Sequence, residues 1–162
     1  MRPELSALLA SLILAISGTS YAAGDAGEPD HHSHGGDERQ QLEFNAGKKW
    51  ATDAPLRQAM TDINQAMAVA LPLIHMHRFG EGQYHALATT VRQAVAYAVE
   101  QCKLAPKADA MLHLVIADLL AGAESMDGKS ADLRHGGAVK VVQALQAYGK
   151  YFQHPGWKAA AI

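Results

Sequence analysis

The chain of 162 residues holds a single cysteine, Cys102. No internal disulfide can form, even in an oxidising compartment, so that thiol is either buried, a metal ligand or a cross-linking hazard. Charge of one sign is also missing. Fourteen Lys and Arg face sixteen Asp and Glu, a formal net charge of -2, which gives no reason to expect nucleic acid or an anionic membrane as partner. There is no Gly-x-Ser-x-Gly, no phosphate loop, no Glu-x-x-His on a helical stripe and no carboxylate pair on a core face. Without a nucleophile–base pattern or a di-iron pattern, an enzyme is not expected. Residues 24–162 contain no useful period-two alternation and no internal repeat. A sheet and a solenoid are therefore not expected either.

What is present begins with an apolar run, Leu5 to Ile16, followed by small residues up to Ala22-Ala23. This reads as a secretory leader over 1–23, cleaved after Ala22 or Ala23. The run is shorter than the roughly 20 residues a membrane span needs. No cysteine lies near the cleavage point, so no lipid anchor is expected. The reading is a soluble periplasmic protein. Removing Arg2 and Glu4 leaves the net charge unchanged, and about 139 residues make one domain with a real core. Residues 24–50 read as a flexible lead-in, its first part rich in Gly, acids and histidine. His31, His32 and His34 stand there among carboxylates, a loose contact for a divalent metal or simply a solvated linker.

From residue 51 to 157 the apolar periodicity is helical. Thr52 or Asp53 caps a first helix opened by Pro55, with Leu56, Met60, Ile63, Met67, Ala70, Ile74 and His77 on one stripe and Pro72 kinking its end. A second helix runs from about Gln83 to Cys102. A third runs from Pro106 or Lys107 to about Ser125, its stripe including both Leu119 and Leu120. A fourth carries Val141, Leu145, Tyr148 and Phe152, its start blurred by Gly136-Gly137 and its end set by Pro155-Gly156. Arg92 reads as an idle outer-face residue. Residues 158–162 read as a tail. Short loops make sequential helices antiparallel neighbours, so the fold expected is an all-α, antiparallel up-down-up-down four-helix bundle.

That connectivity sorts sulfur and imidazole into two poles. One collects Met60, Cys102, Met111, His113 and His154. The other collects His75, Met76, His77, His85, Met126 and His135. Thiolate, thioether and imidazole donors favour copper over magnesium or calcium. The first metal set expected is Met60, Cys102, His113 and His154, with Cys102 as anchor, the two histidines as ligands and Met60 as weak axial donor. The second is His75, Met76, His77 and His85. Each has an ordinary alternative. Met60 fills the core, Cys102 packs, His113 bonds a neighbouring carbonyl or a tyrosine, and His154 caps the last carbonyls of the fourth helix.

Two resemblances attach to particular stretches. Asn45 to Arg57, Cys102 to Pro106 with His113 beyond, Gly137 to Leu145, and His154-Pro155-Gly156-Trp157 resemble a DnrO-like family of small exported proteins. The likeness spans nearly the whole mature chain. It implies an exported bundle in a denitrification or nitric-oxide setting, and supplies no biochemical role. More weakly, Leu56 to Met67 is similar to the first helix of the periplasmic b-type cytochrome bundle. That resemblance implies haem b held by Met60 and by a histidine late in the fourth helix, near His154. His154 directly precedes Pro155-Gly156, a departure from that pattern, and no Cys-x-x-Cys-His for covalent haem exists. A copper-type metal protein, a haem carrier and a metal-free interaction module are thus the three function classes.

Overall fold

A computed structural model describes residues 41–161. The leader at 1–23 and the contacts expected of His31, His32 and His34 lie outside them. The described chain is an antiparallel four-helix bundle: α1 (Ala54–His75), α2 (Glu81–Gln101), α3 (Pro106–Met126) and α4 (Ala131–Tyr151). No helix among the described residues is long and apolar enough to cross a membrane.

Each start has a local cause. Asp53 caps α1, its Oδ1 accepting from the Leu56 amide at 3.0 Å, while its Oδ2 accepts from the Lys103 amide at 2.6 Å and ties α1 to the end of α2. One carboxylate thus satisfies orphan donors in two places. The Gln83 side chain accepts from the Gly80 amide at 2.8 Å, so α2 begins inside what its glycines suggest is a turn. Ser130 caps α4 through the Leu133 amide at 3.2 Å.

The stripe of α1 is buried from Leu56 through Ile74. On α3 the facing differs from expectation by one residue. Leu119 is 0% exposed and Leu120 is 39% exposed, because Gly122 and Met126 turn the stripe towards α4. Gly136 and Gly137 do not delay α4; both lie within it. A Cβ on Gly137 would stand 2.6 Å from the Gly122 carbonyl oxygen and from the Met126 amide nitrogen. The two backbones approach closely there, which only glycine permits.

The ends of the chain close the bundle. Trp50 is buried. Its amide donates to the Tyr151 carbonyl and its carbonyl accepts from the Gln153 amide, both at 2.8 Å, so ordered structure starts before residue 51. Beyond α4, Asn64 accepts from the Ala160 amide at 2.7 Å and donates to the Lys158 carbonyl at 3.0 Å. The tail is therefore strapped across α1. Arg92 is not idle: it donates to the Ala123 carbonyl at 3.2 Å and pairs with Asp127, satisfying the C-terminal end of α3.

Candidate functional site

The first expected metal set does not assemble. Met60 is 0% exposed inside the continuous core that also holds Tyr148 and Phe152. His113 sits in the second turn of α3 facing outwards, 62% exposed, with Nδ1 2.9 Å from the Asp109 carbonyl oxygen of its own helix. Cys102 is the C-cap of α2. Burial, and then the negative charges of Asp53 and Asp109, push its thiol up from the ordinary range, which disfavours the thiolate a metal needs. His154 is half-buried. Its Nδ1 lies 3.0 Å from the Tyr148 hydroxyl, and its ring leans on Trp157 with centroids 4.8 Å apart. The neighbouring-carbonyl alternative describes His113. His154 bonds Tyr148 rather than capping carbonyls.

The same packing bears on haem. An iron beside the Met60 sulfur would need space that the closed core does not leave, and Tyr148 already engages His154. These residues as packed do not fit a haem.

Burial pulls the His154 imidazole down from its ordinary pKa, and the Arg57 charge adds to this. The unfolded chain then takes up a proton near pH 6.5 that the folded chain resists. Stability is therefore fully present above about pH 6.5 and is lost as the pH falls below it. Denaturant titrations between about pH 7.5 and 5 are expected to show this loss, and His154→Gln is expected to flatten it. An unchanged slope in that variant would assign the loss to other groups.

The opposite pole is arranged differently. The end of α1 is a Schellman turn: the His77 amide donates to the Ile74 carbonyl at 3.0 Å and the Arg78 amide to the Leu73 carbonyl at 2.8 Å. The C′ position of such a turn is left-handed and usually glycine. Here it is His77, at φ 52°. That backbone costs a non-glycine residue about 1–2 kcal/mol. It also turns the imidazole towards α4, where the His135 ring lies 6.4 Å away, centroid to centroid, tilted by 32°. Two residues far apart in sequence are thus brought near each other. His75 instead borders a small hollow with Ala160 and Ala161. Met76, the helix C-cap, is 52% exposed.

His85, one turn into α2, belongs to a different group. Its Nδ1 lies 2.9 Å from Asp127 Oδ1, and Arg92 holds the other carboxylate oxygen. Burial pushes the Asp127 carboxyl up, but the bonds from Arg92 and His85 outweigh it and hold it below the usual carboxylate range. Nearby, Arg134 donates to the Gly128 carbonyl at 2.9 Å and stands 3.4 Å from Glu81. Among the described residues no three His, Cys, Asp or Glu side chains gather as a metal set.

So the structure brings together His77 and His135, and neither four-residue set. The connectivity of short loops already places both histidines at one pole; the left-handed turn that aims His77 leaves no trace in apolar periodicity. Between α1 and α2 lies an apolar hollow of ≈ 570 Å³, lined in part by Ala66, Val69, Leu73, Phe79 and Leu87. No family model, curated protein or solved structure matches the chain.

Proposed function

We propose that this protein is an exported, non-enzymatic binder of a copper-type transition metal, and that the metal is held between His77 and His135. One observation carries the reading. A histidine occupies a backbone position where glycine is easier, and its ring centre lies 6.4 Å from that of a second histidine on α4. Backbone strain of this kind clusters at functional sites, and imidazoles are borderline donors suited to copper. The leader pattern at 1–23 supports export. The DnrO-like stretches support a denitrification or nitric-oxide setting.

The test separates the side chain from the turn. His77→Gly removes the imidazole and relieves the left-handed strain, so unfolding free energy is expected to rise by about 1 kcal/mol. Copper retained in equilibrium dialysis is expected to fall, measured in a full chain carrying His31→Ala, His32→Ala and His34→Ala to remove the lead-in donors. His135→Ala is expected to lose copper equally. A His77→Gly protein that is more stable and still retains copper would remove the site.

A metal-free interaction module is the second reading, favoured by the apolar hollow between α1 and α2 and by Val69, which projects there with 79% exposure. Val69→Glu would weaken partner binding without altering copper retention if that surface is the functional one.

A further inference from the structure

Independently of the metal-binding reading above, we infer that Trp157, Tyr148 and His154 form a one-electron relay. It accepts an oxidising equivalent from a small diffusing radical at the surface and holds it on Tyr148, whose phenolic proton passes to His154. The three rings pack against one another. Tyr148 and Trp157 have centroids 4.9 Å apart, His154 and Trp157 4.8 Å, and Tyr148 and His154 5.8 Å. Trp157 is half-buried and Tyr148 fully buried. An oxidant in solution therefore meets the indole, and the phenol is reached through it.

A phenol gives up an electron readily when its proton leaves as well, because an oxidised phenol is a very strong acid. Bulk water cannot take that proton here. Tyr148 is enclosed, and Phe152 stacks on its ring with centroids 5.4 Å apart. A base is already in place: the Tyr148 hydroxyl lies 3.0 Å from Nδ1 of His154, within reach for direct proton transfer. Burial, with the Arg57 charge added to it, holds His154 below its ordinary pKa, so at neutral pH the imidazole is uncharged and accepts from the phenol. The Arg57 charge also opposes the imidazolium that forms, and Asp53, whose charge reaches Tyr148 as well, offsets part of that. An oxidised phenol is so much the stronger acid that the transfer still runs downhill.

The indole is arranged in the opposite way. Its Nε1 is buried and has no hydrogen-bond partner, a costly state for a polar group and one that calls for a reason. With no acceptor beside it, an oxidised indole keeps its proton and is not trapped as a neutral radical. The oxidising equivalent moves on to the ring whose proton has a destination. Gly149 makes this seat possible, since a Cβ there would collide with Nε1 and Cδ1 of the indole. In the completed step one electron leaves Tyr148 for the incoming radical, which becomes its anion. The phenolic O–H bond breaks and an N–H bond forms at Nδ1 of His154, leaving a neutral tyrosyl radical beside an imidazolium.

The experiment uses the full-length protein with flash-generated Ru(III) tris-bipyridine as the one-electron oxidant. Radicals are followed by transient absorption and identified by electron paramagnetic resonance after freezing. A tyrosyl radical is expected, and it should be lost in Tyr148→Phe, which keeps the packed ring. His154→Gln keeps a hydrogen-bond acceptor but no base, and the radical should form about 100-fold more slowly in it. Trp157→Phe should also slow its formation. In the unsubstituted protein the rate is expected to be level from about pH 8 to 6.5 and to fall in more acid solution as His154 is protonated, read where circular dichroism is unchanged. A tyrosyl radical that persists in Tyr148→Phe would lie on another tyrosine and overturn the relay, as would the absence of any radical. An unchanged rate in His154→Gln with no fall in acid would overturn the proton transfer and leave the Tyr148–His154 bond a packing contact. An unchanged rate in Trp157→Phe would overturn entry through the indole.

Discussion

Leu119→Ala is expected to destabilise the protein by about 2–5 kcal/mol, measured by denaturant unfolding. Leu119 is 0% exposed in the middle of α3, surrounded by the packed stripes of the bundle, so truncation removes buried surface and leaves a cavity. The adjacent residue supplies the control. Leu120 has the same chemistry and the same helix propensity, but it is half-exposed. Leu120→Ala is expected to cost well under half as much, since most of its side chain is not enclosed. Equal losses would mean that α3 turns a different face to the core.

Gly137→Ala is expected to cost about 1–3 kcal/mol even though alanine is the better helix former. The added methyl would meet the Gly122 carbonyl and the Met126 amide at 2.6 Å. Both contacts are backbone, so α3 and α4 must separate rather than a side chain swing away. Its neighbour runs the other way. A Cβ on Gly136 would have nothing within 4 Å, so Gly136→Ala should leave the packing untouched and gain up to about 1 kcal/mol from helix propensity. Thermal unfolding of the two variants side by side reads the difference as opposite shifts in Tm. Shifts of the same sign would contradict the close approach of the two helices.

These contrasts separate what apolar patterning encodes from what it leaves out. Stripes at spacings of three and four identify the four helices, because burial on one helical face imposes that period, and Leu56, Met60 and Ile63 stand where the period puts them. A period does not resolve one residue of rotation, so it groups Leu120 with Leu119. Nor does it say why a glycine is present: Gly136-Gly137 reads as a hesitant helix start, whereas the second of them is a contact between backbones. Arg92 reads as solvated because its partners, the Ala123 carbonyl and Asp127, lie at the end of another helix. The strap through Asn64 and the closure at Trp50 involve backbone groups 94 or more residues distant, which local patterning cannot signal. At the candidate site, pole membership follows from connectivity, but facing does not. His113 and Met60 share a pole and point in opposite senses, one to solvent and one into the core. His77 and His135 meet because a Schellman turn falls at His77, a conformation that its amino-acid type does not announce.

The most direct measurement is the imidazole spectrum of isotope-labelled full-length protein, recorded by NMR as Cu(I) is added to one equivalent. All nine histidines are present at once, so every competing set is tested in a single sample. The rings of His77 and His135 are expected to shift together and saturate together, with those of His113 and His154 unmoved. Shifts confined to His31, His32 and His34, or to His113 and His154, with the His77 and His135 signals unchanged, would contradict the metal site placed at this pole.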